Sequence, residues 1–401
     1  AVSLVLSCGR GRHSMLIANT LQCAMFAVAL VFIINIFSIH NGAFLLIYVV
    51  LQVYTALLLQ FARGLGRNEV YAIASFISAS GTILFNVLTL VVFRMGLQGL
   101  FISTLVALLL TVIYLCIAIK PWNHFVVKQA TRTIFYAVSK YSLPLVPNNL
   151  AWWVVNVSDR TIVSYILGVA VNGIYTVANK FSNVFIQFYN IFNLSWTESV
   201  SLHFQDEDRE EFLSEMITTM YKLFSAACFG IVACMPFVFP VMINERYADA
   251  YPQIIILMYA MLCRVVVGLY SCVYIAQKNS KKVAYTSAAS AIINIIVHLA
   301  LIWKIGLYAA SVSTLVAFAS MAIIRYIDIN KIIKMKIDPP VLISSIIVAC
   351  ALAVTYSLNI TGLNLVMLII VVIYAIWMNW DLAVSAEKMG MNFLRSIKKS
   401  K

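Results

Sequence analysis

Charge is scarce in this chain of 401 residues, and acid is the scarcer sign. Only 11% of the residues are charged, with 15 Asp or Glu against 28 Lys or Arg. So few charges cannot cover the surface of a water-soluble protein of this length. Other absences exclude particular chemistries. No Walker-type phosphate loop occurs, so the chain does not itself hydrolyse ATP. The five His are too dispersed for a helical zinc-hydrolase motif. Nothing resembles the paired carboxylates of a glycosidase, and no large polar segment exists to house a glycosyltransferase, so an enzyme is not expected. The eight Cys lack paired spacing and read as small hydrophobes rather than a disulfide framework. The opening "LVLSC" has no basic leader and is not read as a lipoprotein signal.

Apolar sequence is abundant, at 63% of the residues. Runs of about 20 apolar residues, enough to cross the hydrocarbon as helix, recur along the whole length. They do not alternate polar with apolar, as strands of a membrane barrel do. The expected fold class is therefore an all-α polytopic membrane protein. Twelve spans are expected, at 14–37, 43–62, 70–92, 97–118, 142–168, 174–199, 223–243, 252–276, 283–303, 307–327, 340–358 and 363–379. Threading the chain through them puts 22 of the 28 Lys and Arg, Arg325 included, on one side, and only Arg94, Arg246 and Lys304 on the other. By the positive-inside bias both ends face the cytoplasm. The net charge of +13 then reflects topology and contact with anionic membrane lipids, not nucleic-acid binding. The acidic run "QDEDREE" (205–211) reads as a solvated loop.

The pentapeptide "STLVA" occurs at 103–107 and again at 313–317, an offset of 210. In the same register Gly96-Leu97 matches Gly306-Leu307, and Arg94 matches Lys304. Four agreements in one register point to a duplicated helix pair and two pseudo-symmetric lobes arranged as parallel repeats. Four expected spans precede the matched pair in the second half but only two in the first. The count predicts a parent of two six-helix lobes plus a terminal pair, with the first two helices absent from this chain. The expected domains are an N-lobe (1–119), a cytoplasmic interfacial linker (120–140), a C-lobe (141–328), a terminal helix pair (329–380) and a basic tail (381–401). Linker and tail mix aromatic or apolar residues with cations and read as membrane-surface anchors.

Charge inside a span is costly and tends to face a wet cavity or a partner. One span carries Asn149, Trp153, Asn156 and Arg160 at spacings of 4, 3 and 4, a single helical face, with Asp159 beside Arg160. The next carries Lys180, Asn183, Gln187 and Asn190 at spacings of 3, 4 and 3. Arg264 lies near the middle of its own span. One reading pairs Asp159 with Lys180 as a fastening between helices. It leaves two cations uncompensated, which calls for an anionic ligand or a wet cavity. Arginine suits phosphate through its planar fork, lysine adds a point charge, and the amides with Trp152, Trp153 and Tyr175 suit sugar hydroxyls and ring faces. Weaker stripes at Ser75, Thr82, Asn86 and Thr89, and at Ser287, Ser290, Asn294 and His298, read first as helix packing. His298 and Asp159 remain candidates for coupling to H+ or Na+; no other cofactor is expected.

The stretches "YSLPLVPNNLAWWVVNVSDRTIVSYILG", "NGIYTVANKFSNVFIQFYNIFNLSWTES" and "FARGLGRNEVYAIASFISASGTILFNV" resemble helices of bacterial polysaccharide-biosynthesis flippases. These belong to the multidrug/oligosaccharidyl-lipid/polysaccharide (MOP) exporter superfamily. The resemblance implies fourteen helices in two six-helix lobes plus a terminal pair, in agreement with the helix deficit. It implies flipping of undecaprenyl-diphosphate-linked oligosaccharide from the inner to the outer leaflet of the bacterial cytoplasmic membrane, for O-antigen, capsule or exopolysaccharide. Arg160, Lys180 and Arg264 match the type of cation thought to engage the diphosphate or acidic sugars. A polysaccharide polymerase and a chain-length regulator are the implied protein partners. Alternatives are a drug/cation antiporter of the same superfamily, which would favour intramembrane carboxylates, and a scaffold in a glycan-assembly complex.

Overall fold

The computed structural model describes residues 42–124 and 145–382, with positions 20, 24, 26–28, 30–32, 136, 140, 143 and 384. Most of the expected first span, most of the 120–140 linker and nearly all of the basic tail lie outside the described residues. The described secondary structure is helical throughout. Eleven α-helices follow in order: α1 (Gly42–Gly64), α2 (Asn68–Asn86), α3 (Gly96–Ile119), α4 (Leu145–Ile166), α5 (Val169–His203), α6 (Arg209–Met242), α7 (Tyr251–Ala276), α8 (Ser280–Ile305), α9 (Tyr308–Asn330), α10 (Pro339–Leu358) and α11 (Thr361–Met378). Each contains the core of one expected span.

Nine described helical segments are long and apolar enough to cross a membrane. The two long helices outside that set are α4, of 22 residues, and α5, of 35. They have the length but are more polar, and they are the helices on which the charged stripes fall. The chain is a multi-pass membrane protein whose least lipid-like helices carry its most distinctive residues.

The chain divides into two compact units, residues 1–142 and 143–401. In the first, Leu58, Phe61 and Ala62 of α1, Ala74 of α2, and Leu115 and Ile119 of α3 form a small buried core. Arg67 closes the α1–α2 turn by donating to the Ala118 carbonyl at 2.8 Å. The end of α2 runs into a π-helix, Val87–Val92, ahead of α3.

In the second unit α9 packs against α7 and α8, α4 lies on α8, α5 lies on α7, and α10 and α11 pack on α6. Phe185, Tyr189 and Phe192 of α5 meet the Phe224 ring of α6 edge-on, at 5.3 to 6.0 Å between centroids. Tyr251 and Tyr356 stack at 4.3 Å and join α7 to α10. Lipid is as apolar as these side chains, so close packing and hydrogen bonds between helices, rather than hydrophobic burial, hold such a bundle together. The run 205–211 forms the exposed turn between α5 and α6 and the start of α6, as its charge predicts.

The duplicated segment has the same backbone signature in both places. Gly96 has φ of 58° and Gly306 has φ of 56°, a region that suits glycine because it lacks Cβ. In each copy the serine of the pentapeptide bonds an asparagine of the preceding helix. Ser103 donates to Asn86 Oδ1 in the first unit. Ser313 accepts from Asn294 Nδ2 at 3.4 Å in the second.

Candidate functional site

Helix α4 begins with Pro147 in its first turn, where a missing backbone donor is harmless. Its buried stripe is Asn148, Ala151, Val155, Asp159 and Val163. Neighbouring residues point about 100° apart around a helix, so Asp159 and Arg160 must face different surroundings. Asp159 is 3% exposed, whereas Arg160 is half-buried beside exposed Asn149, Trp153 and Asn156. One face of α4 therefore enters the bundle and an adjoining face stays open.

The inward face meets residues from three other helices. Asp159 Oδ1 lies 2.9 Å from His298 Nδ1 of α8. Its Oδ2 accepts from Thr314 Oγ1 of α9 at 2.5 Å and from the Tyr175 hydroxyl of α5 at 3.3 Å. Next to it, Ser158 donates to Asn294 Oδ1 at 3.2 Å. Tyr175, His298 and Thr314 are all buried. His298 Nε2 has no hydrogen-bond partner among the described residues. Four helices thus converge on one carboxylate.

This overturns the expected Asp159–Lys180 pair. Lys180 is exposed on α5, and Asp159 is taken up by His298, Thr314 and Tyr175. Arg160 and Lys180 have no hydrogen-bond or ion-pair partner among the described residues. Tyr175 also departs from expectation. It is 2% exposed, so its ring is not offered to a sugar.

On α5, Asn183, Gln187 and Asn190 are exposed together with Lys180. Arg264 of α7 is half-buried against α4. Its Nη1 donates to Asn156 Oδ1 at 3.4 Å, and its guanidinium lies 5.0 Å from the Trp152 ring centroid and 5.8 Å from that of Phe318. Trp152 thus works as a cation–π platform. Asn149, Asn156, Arg160, Lys180, Asn183, Gln187 and Asn190 lie on accessible surface, and among the described residues no carboxylate is hydrogen-bonded to any of them. The geometry separates a buried acid from an open, cationic, amide-bearing face.

One buried cation escaped the sequence reading. Arg325, counted there with the cytoplasmic-side cations, lies inside α9 and is 1% exposed. Its Nε donates to Thr286 Oγ1 at 3.0 Å and its Nη2 to Ser287 Oγ at 3.1 Å. Its Nη1 donates to the Val267 carbonyl at 3.2 Å and to Ser271 Oγ. All four acceptors are neutral, and they tie α7, α8 and α9 together. One turn on, Asp328 accepts from Lys282 at 2.9 and 3.0 Å and from the Tyr274 hydroxyl at 2.7 Å. Of the hydroxyl-bearing residues facing Arg325, only Ser287 belonged to a stripe read from the sequence, and there as helix packing.

No protein-family model matches the chain, and no curated protein matches its sequence. Solved structures do match its fold. A MATE transporter in complex with MaL6 superposes with a TM-score of 0.65 at 11% identity, over 81% of this chain and 84% of that one. The lipid II flippase MurJ in an inward closed conformation gives 0.60 at 15% identity, over 93% and 84%. A MOP superfamily transporter from Pyrococcus furiosus, described by the reverse polarity of its binding pocket, gives 0.62 at 12% identity, over 81% and 82%. The chain shares the fold of these solved structures.

Proposed function

We propose that the chain is a transporter that moves an amphiphile with an anionic, sugar-bearing head across the cytoplasmic membrane, both of its ends facing the cytoplasm. Polyprenyl-diphosphate-linked oligosaccharide, flipped from the inner to the outer leaflet for surface polysaccharide, is the substrate class that fits best. The observation that carries this reading is the division of charge in the second unit. Arg160, Lys180 and Arg264 accompany exposed Asn149, Asn156, Asn183, Gln187 and Asn190, while the neighbouring carboxylate of Asp159 is withdrawn into the helix packing. An open face at membrane depth with unpaired cations is unfavourable against lipid and favourable against a hydrated diphosphate. The likeness to a protein named a lipid II flippase supports a lipid-linked substrate.

Export of cationic drugs is the competing reading, and the likeness to MATE transporters favours it. The two differ in the sign of charge the site should attract. Arg160→Ala is expected to abolish flipping of a fluorescent polyprenyl-diphosphate oligosaccharide in proteoliposomes while leaving the amount of folded protein unchanged. The half-buried position of Arg160 and its lack of a hydrogen-bond partner among the described residues make a folding defect unexpected. Full flipping by this variant, together with efflux of cationic dyes by the parent chain, would replace the flippase reading with the antiporter one.

A further inference from the structure

We propose that the groove between α8 and α9, at their lysine-bearing ends, binds one anionic phospholipid whose head is a single phosphodiester of the phosphatidylglycerol type. The outer face of α8 sets the depth of this groove in the bilayer. Tyr285, Ile292, Ile296, Leu299 and Trp303 follow one another at spacings of 7, 4, 3 and 4. They share one helical face, and all are exposed. Tyr285 and Trp303 close the two ends of this apolar stripe, about 27 Å apart at 1.5 Å per residue. That length is close to the ~30 Å of the hydrocarbon core. Tyrosine and tryptophan favour the level of the headgroups. Tyr285 therefore marks one membrane–water boundary, and the side chains one turn beyond it stand among phosphates.

A groove of about 440 Å³ opens at that boundary. Tyr285 and Lys282 of α8 wall it on one side, and Ile327 and Lys331 of α9 on the other. Lys282 Nζ donates to both oxygens of Asp328, at 2.9 and 3.0 Å, and the Tyr274 hydroxyl donates to the same acid at 2.7 Å. Lys282 and Asp328 thus cancel each other's charge. Lys331, one turn after Asp328, is exposed and has no hydrogen-bond or ion-pair partner among the described residues. Two lysines and one aspartate give the lining a net charge of +1. One phosphodiester neutralises it. A zwitterionic head brings an ammonium of its own, which Lys331 repels.

The acyl chains have a path as well. The α8 stripe descends from Tyr285, and Val316, three turns from Ile327 on the same face of α9, is exposed too. Two apolar tracks lead from the groove into hydrocarbon. The basic tail of the chain, 385–401, has the wrong sign to fill the site. Thr286 both lines the groove and accepts from Arg325 Nε at 3.0 Å. A lipid seated here bears on the corner where Arg325 ties α7, α8 and α9 together, whatever the protein transports.

The test uses the purified full chain in a neutral detergent, offered equal amounts of phosphatidylglycerol and phosphatidylcholine with the same acyl chains. Bound lipid is counted by native mass spectrometry. One phosphatidylglycerol should be retained over phosphatidylcholine by about fivefold, the effect of one lysine at a membrane surface. Lys331→Gln should bring that ratio to about one and leave the lipid-free unfolding midpoint unchanged, because Lys331 has no partner among the described residues to lose. Lys336→Gln removes an exposed cation outside the groove and should leave the preference intact. A preference that survives Lys331→Gln, or falls equally in both variants, overturns the site and leaves only general attraction to a basic surface. Glycerol phosphate separates the two sources of phosphodiester chemistry. It should fail to displace phosphatidylglycerol at equal concentration; displacement would make the groove a site for a free phosphoester and overturn the lipid assignment.

Discussion

Ser103-Thr104 in the first unit and Ser313-Thr314 in the second belong to two copies of one pentapeptide, yet the threonines do different things. Thr104 is half-buried and donates back to the Leu100 carbonyl of its own helix at 2.8 Å. Thr314 has the same local acceptor, the Ala310 carbonyl at 2.9 Å, but it is buried and its hydroxyl also lies 2.5 Å from Asp159 Oδ2 on another helix. The serines are alike, each bonded to an asparagine across the helix pair. Four residues beyond those asparagines stand Leu90 in the first copy and His298 in the second. The shared positions build a helix pair. His298 stands where the first copy has leucine, and it meets Asp159 of α4.

The sharpest way to break this contrast is Asp159→Ala. It would strand a buried imidazole, a tyrosine hydroxyl and Thr314 without their common acceptor. Each buried polar group left unsatisfied costs about 1–3 kcal/mol. A large fall in the thermal unfolding midpoint of the purified chain is expected, with loss of transport. A midpoint within a degree or two of the parent would mean that the carboxylate carries little of the packing of α4.

The spans were legible in the sequence because length and apolarity set them directly, and the duplication was legible because its glycines and serines do the same work twice. The site was legible only in part. Asp159, Arg160, Lys180 and Arg264 stand out as charges in apolar runs, and spacing placed the amides of α4 and α5 on open faces. Which charge pairs with which was not readable, because Asp159 and His298 are 139 residues apart and meet only when α4 packs on α8. Lys180, nearer in sequence, was the plausible partner and proved to be exposed. Arg325 was misplaced for a related reason. A cation in the last turn of an expected span counts with the cytoplasmic side until the hydroxyls of α7 and α8 are seen around it.

Next in size comes a paired substitution, Thr314→Val against Thr104→Val. The first leaves a buried acceptor short of one donor, at about 1–3 kcal/mol. The second removes a bond within one helix at a half-buried position and should stay within about 0.5 kcal/mol. Denaturant unfolding of the two variants side by side gives the difference directly. Equal losses would show that Asp159 is adequately served by His298 and Tyr175 alone, and that the second copy's threonine has no special place.

The smallest expected difference is where the copies should agree. Gly96 and Gly306 both have positive φ, and a Cβ built on either meets nothing within 4 Å. Substitution by alanine therefore adds no clash, only the backbone cost of holding an L-residue at positive φ, on the order of 1–3 kcal/mol at each position. Gly96→Ala and Gly306→Ala should lower stability by amounts that match within about 0.5 kcal/mol, because nothing from the buried cluster reaches either turn. A much larger loss at Gly306, accompanied by faster exchange around His298, would show that the α8–α9 turn is strained in support of the cluster. Matching losses would confine the asymmetry between the copies to Thr314 and His298, the two places where the second unit turns a packing motif toward a charge.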